Sequence, residues 1–152
     1  MLEWLRMPHR GEPSSVDKLI QELERGERAT YTWAASEPSE WTDLSAELRT
    51  RGFSMLDLDE IEPVSSEETL LNAFSASGVM PSYFSRTLTS LKECLAVLPK
   101  GSERGWVVLF RRPKKLEENE PETWKALGEI ASLIHDRFRE EDRGGFRLVF
   151  GI

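Results

Sequence analysis

Apolar positions along this chain follow two rhythms, one of three and four and one of short continuous runs. Val16, Leu19, Ile20 and Leu23 repeat at helical spacing, which predicts a helix from Ser14 or Ser15 to about Arg25. One of the two serines caps it, and Gly26 closes it. Arg28 to Ala35 contains Thr30-Tyr31-Thr32-Trp33, β-branched and aromatic, and predicts a short strand. Pro38 and Ser39 mark a loop. Trp41 to Arg51 reads as a helix with Leu44 and Leu48 inward, ended by Gly52. Phe53 to Asp59 predicts a second strand, with Met55 out of phase with Phe53, Leu56 and Leu58. Ser65 or Ser66 opens the next helix, with Glu67 and Glu68 in the first turn, where the helix dipole favours negative charge. Leu70, Leu71 and Phe74 face in, and Gly78 ends it.

The stretch from Pro81 to Leu98 is the most informative. Leu88, Leu91, Leu95 and Leu98 line one face of a short amphipathic helix, and Thr89, Glu93 and Ala96 fall together on another. Tyr83 and Phe84 stand just ahead of it, and Ser85 reads as its N-cap. An anchored inner face with a small polar outer face suits recognition. Trp106 to Phe110 is a continuous apolar run, as expected of a parallel strand covered on both faces. Arg111 to Asn119 reads as a charged loop. Glu120-Pro121-Glu122 begins a long helix whose core face is Trp124, Leu127, Ile130, Ala131, Ile134 and Phe138. Gly144-Gly145 stops it, and Phe146 to Ile152 is a last strand. Strands therefore alternate with helices, which predicts a layered α/β fold with a small, mostly parallel sheet of about three or four strands flanked by helices.

The formal net charge of -7 argues against nucleic acid as a direct ligand, since a phosphate backbone requires a basic patch. It permits a basic protein partner. No apolar run reaches the length of a membrane span. The N-terminus lacks the charged-then-apolar pattern of a secretory signal. The single cysteine, Cys94, forms no internal disulfide, and a reduced cytoplasmic setting follows as the simplest expectation.

Catalytic signatures are missing. The two histidines are His9 and His135, the latter read as a surface or boundary residue of the long helix. No Cys/His cluster has metal-ligand spacing, no Gly-rich phosphate loop occurs, and nothing calls for a cofactor. Cys94 sits near the leucine face, which predicts a buried thiol rather than a nucleophile. Asp57, Asp59, Glu60 and Glu62 read as a solvated acidic loop in preference to a cation site. The expectation is a protein that is not an enzyme.

From about Phe53 onward, the chain resembles the barstar family of intracellular ribonuclease inhibitors. The resemblance lies in a strand ending Leu56-Asp57 and a helix with Leu70, Leu71 and Phe74. It continues in Pro81-x-Tyr83-Phe84 followed by Leu88, Leu91 and Glu93-Cys94-Leu95, the Trp106 to Phe110 strand, the helix opened by Glu120-Pro121-Glu122, and the closing strand. The family pattern at the centre is Pro-x-Tyr-[aromatic]-Gly-x-Asn-[apolar]-Asp-x-Leu-x-Asp-Cys-Leu. Ser85 stands at its glycine, Thr87 at its asparagine, Thr89 at its first aspartate and Lys92 at a position that is often tryptophan. Glu93 keeps an acid at the second aspartate.

The resemblance implies a partner-binding surface of Tyr83, Phe84, Ser85, Thr87, Thr89, Lys92 and Glu93. In the family, this helix and its preceding loop enter a basic ribonuclease cleft, where carboxylates stand in for RNA phosphates. The implied function is an immunity or inhibitor role against a basic ribonuclease or toxin-type enzyme. The alternative is an interaction or regulatory domain that uses the fold without inhibiting a nuclease. The expected organisation is a mobile arm over residues 1–13, a helix–strand–helix extension over 14–52 packed on the domain, and a barstar-like domain over 53–152.

Overall fold

In the computed structural model, residues 15–99 and 104–152 are described; the expectations for the N-terminal arm and for Ser14 lie outside them. In chain order the elements are α1 (Ser15–Arg25), β1 (Thr30–Trp33), α2 (Ser39–Thr50), β2 (Ser54–Asp57), α3 (Glu67–Ala76), α4 (Leu88–Ala96), β3 (Trp106–Phe110), α5 (Lys114–Asn119), α6 (Pro121–Glu140) and β4 (Phe146–Gly151). The strands form one sheet in the order β1-β4-β3-β2, and every pairing is parallel. The fold is α/β, and β3 is an interior strand with parallel neighbours on both sides, as its unbroken apolar run predicts. β1 takes the edge beside β4.

Because side chains alternate across a strand, the register sorts the core into two layers. Leu56, Val108 and Leu148 stand side by side, and so do Met55, Val107 and Arg147. On one face Leu56, Trp106, Val108, Phe110, Phe146, Leu148 and Phe150 pack with Leu70, Leu71 and Phe74 of α3, Leu91 and Leu95 of α4, and Leu127, Ile130, Ile134 and Phe138 of α6. On the other, Val107, Leu109 and Val149 pack with Leu19, Ile20 and Leu23 of α1, Trp41, Leu44 and Leu48 of α2, and Tyr31, Trp33 and Phe53. Trp33 and Trp41 meet edge to face at 4.9 Å, and the Trp33 indole N–H donates to Ser15 Oγ at 2.7 Å. The elements before β2 therefore supply one whole cover of the sheet.

Two expectations are corrected, and two further features appear only in the fold. Part of the charged segment before α6 is helical: α5 follows Pro113, whose fixed φ suits a helix start, and fully buried Leu116 anchors it. His135 is buried at 4% exposure. Its Nδ1 lies 3.2 Å from the Phe146 carbonyl, and its Nε2 has no partner among the described residues. Burial lowers its pKa, because the charged form cannot be solvated there. Arg147, which follows β4's first residue, is also buried. Its Nη1 donates to the Arg104 carbonyl at 3.0 Å, its guanidinium lies over Phe53, and burial lowers its pKa. Gly105 holds a positive φ of 89°, and a Cβ there would collide with the Gly145 backbone, so the β3 and β4 entries meet only through glycine.

Candidate functional site

The candidate site is built on α4 and the loop that enters it. α4 buries Leu91, Cys94, Leu95 and Ala96. Cys94 is fully buried, as its place beside the leucines predicts, and its Sγ lies 3.9 Å from Ser90 Oγ. Ala96 is buried rather than part of the outer face, because the helix turns it toward the core at its last residue. Leu88 is only half-buried.

The entry loop is held by a chain of local hydrogen bonds. Phe84 N–H donates to the Pro81 carbonyl at 3.0 Å, closing a turn. Ser85 is not the cap; its N–H donates to Ser90 Oγ at 3.0 Å. The N-cap is Thr87, extended at φ -125° and ψ 160°, whose hydroxyl accepts from Ser90 N–H at 3.0 Å. Arg86 makes the cap possible. It sits in the left-handed region at φ 58°, turning the chain so that Thr87 meets the helix start.

The far end of α4 is held by Arg143. Its guanidinium donates to the Ala96 carbonyl at 2.6 Å and the Leu98 carbonyl at 2.7 Å, and it lies over the Phe138 ring at 4.1 Å. A cation satisfying the last carbonyls of a helix is favoured by both hydrogen bonding and the dipole. The helix is thus fixed at both ends and along its inner face.

The sequence-derived site residues divide into two sets. Ser85, Thr87, Thr89, Lys92 and Glu93 are exposed, and Tyr83 is 66% exposed. Thr89, Lys92 and Glu93 share the outer face of α4 by spacing. Phe84 is half-buried and packs against the core, so it props the loop rather than projecting from it. Thr87's hydroxyl is committed to the cap. Sequence reasoning missed Arg86 and Arg143. Arg86 carries no periodicity signal. Arg143 lies just before Gly144-Gly145, a recognisable helix stop, but the helix it caps is far away in sequence. Arg86 and Lys92 give the outer surface two cations beside the single carboxylate of Glu93.

The acidic segment after β2 is less solvated than expected. Asp59 is fully buried and accepts from the backbone N–H groups of Arg111 and Arg112, each at 2.8 Å. It ties the end of β2 to the end of β3. Asp57 takes the Arg111 guanidinium through both oxygens, at 3.2 and 2.6 Å, and Glu60 adds a contact at 3.2 Å. Burial raises the Asp57 carboxyl pKa, outweighing the lowering by Arg111. Among the described residues, no group of His, Cys, Asp and Glu is placed to hold a metal ion. Among them, no helix is long and apolar enough to cross a membrane.

Comparison with known proteins gives one family match. The model described as Barstar (barnase inhibitor) matches residues 55–151, from within β2 to the end of β4. No curated protein matches the chain.

Proposed function

The chain belongs to the barstar family, and from that membership we propose that it binds a ribonuclease or other toxin-type enzyme and holds it inactive by occluding the active cleft. The observation that carries this reading is the fixation of α4. Thr87 caps one end, Arg143 clamps the other, and Leu91, Cys94 and Leu95 are buried between them. A surface held this way loses little conformational entropy on binding. Tyr83, Thr89, Lys92 and Glu93 stand out from it. Tyr83 offers a large amphipathic contact, and Glu93 offers a carboxylate to a cation of the cleft. No step of this action is covalent, and the protein acts as a binder rather than a catalyst. The reduced cytoplasm is its setting, consistent with a single, buried cysteine.

A second reading draws on the charges of Arg86 and Lys92, which oppose a uniformly basic cleft. On that reading the fold serves interaction or regulation without nuclease inhibition. The experiment is affinity capture of the partner from source cells, followed by RNA-cleavage and binding assays with wild type and Glu93→Ala. The inhibitor reading expects the captured enzyme to be silenced by wild type. Truncating Glu93 then costs about 2–5 kcal/mol, mainly through faster dissociation. Its melting temperature stays unchanged. A partner without enzymatic activity would transfer the conclusion to the second reading, and equal affinities would move the contact surface off α4.

A further inference from the structure

Beside β2 lies a cavity of about 410 Å³, between the β2–α3 loop and the outer face of α3. Its apolar lining includes Val64, Ala73 and Ile61, and Ile61 is 86% exposed. Ile61 thus offers exposed apolar surface at the cavity on which an aliphatic stem can lie. Asp57, Glu60 and Glu62 also line the cavity, and among the described residues no basic side chain does. Asp57 is already matched by Arg111. Glu60 gives one oxygen to Arg111, and among the described residues no ion pair engages Glu62, so negative charge is left over at the mouth.

A second depression, of about 390 Å³, is lined by Glu67, Asn72 and Arg86. Asn72 belongs to both. The two depressions therefore adjoin at Asn72 of α3, and Arg86 of the loop that enters α4 lines the second. α4 itself carries one cation, Lys92, and one anion, Glu93, with Arg86 in the loop before it.

We propose that this cavity receives an arginine side chain of a protein partner, its aliphatic stem on the apolar lining and its guanidinium against Glu60 and Glu62. The identification of that partner with the enzyme held by α4 rests on the inhibitor reading; the cavity's ligand chemistry does not. Arginine fits better than lysine, because guanidinium is the more weakly hydrated cation and lays its planar fork on carboxylates. The same segment already holds an arginine internally, since Asp57 at the end of β2 and Glu60 in the loop take the Arg111 guanidinium in this way. On this proposal the acidic contact to the partner's arginine comes from Glu60 and Glu62 of the β2–α3 loop.

The test uses the full chain, isotope-labelled for NMR. The probe is a blocked peptide of sequence glycine-leucine-arginine-leucine-glycine, and its control carries citrulline, the neutral isostere, in place of arginine. The expected result is amide shift changes clustered at Ile61, Asn72 and Ala73. Binding weakens about tenfold with the citrulline peptide and about tenfold in Ile61→Ser or Glu62→Lys. Both positions are exposed, so the remaining spectrum serves as the check on folding. Shifts scattered over the acidic surface, or equal responses to the two peptides, overturn the proposal. Against the captured enzyme, Ile61→Ser should weaken inhibition about tenfold. If Glu93→Ala weakens inhibition and Ile61→Ser does not, the inhibitor reading stands and this inference falls. If no enzyme is captured, the inhibitor reading fails and the peptide titration alone decides the cavity.

Discussion

Removal of residues 1–52 would strip away α1, β1 and α2, leaving the segment that contains the family match. The remaining chain would expose Phe53, Val107, Leu109 and Val149, all buried in the second core layer. Burial of one such side chain stabilises by about 1.5–3 kcal/mol, so the four together represent about 6–12 kcal/mol. That approaches the whole stability of an ordinary domain, about 5–15 kcal/mol. β4 would also lose its β1 partner, and Arg147 would lose its neighbours Gly26 and Tyr31. The 53–152 fragment should therefore show no cooperative urea transition, poor amide dispersion and strong binding of a hydrophobic dye. The full chain should unfold in one transition, with Leu44→Ala costing about 2–5 kcal/mol as an internal reference for the same layer. A fragment that unfolds cooperatively within about 2 kcal/mol of the full chain would refute the reasoning, because one cover of the sheet would then be dispensable.

Asp59→Ala should cost about 2–5 kcal/mol in urea denaturation, since it leaves the Arg111 and Arg112 amides without their acceptor; a loss below about 1 kcal/mol would mean that water replaces the carboxylate. His135 is buried with its pKa below the ordinary 6.5. The unfolded chain thus takes up the proton first as pH falls, and stability declines from about pH 6.5 down to the folded pKa. The difference between wild type and His135→Gln isolates this effect from His9, and a difference constant between pH 7.5 and 5 would contradict the burial argument. Arg86→Gly should raise the urea midpoint by the equivalent of about 0.5–1 kcal/mol, because glycine adopts φ 58° without the Cβ penalty; a destabilised variant would show that the Arg86 side chain itself holds the loop.

The alternation of helical and strand rhythms was sufficient for the architecture, because each apolar repeat must be buried and the menu of layered solutions is small. Trp106 to Phe110 announced a doubly covered interior strand, and Cys94 announced its own burial by its neighbours Leu91 and Leu95. The central motif carried the family. The rest required the chain to be folded. Asp59 and Glu62 look alike in sequence, yet one is a buried tie between β2 and β3 and the other stands at a cavity mouth. His135 lies beside the apolar stripe of its helix, and only the approach of Phe146 turns it into a core residue. Ser85 and Thr87 are both competent caps, and the left-handed turn at Arg86 selects Thr87. Periodicity reports which face of an element is apolar, since that follows from the element's own geometry. It does not report which distant backbone amide, carbonyl or carboxylate will arrive to meet a polar side chain. Such pairings arise only when strands and helices remote in sequence are packed together, and they determine which charges are buried, which are paired and which remain free for a partner.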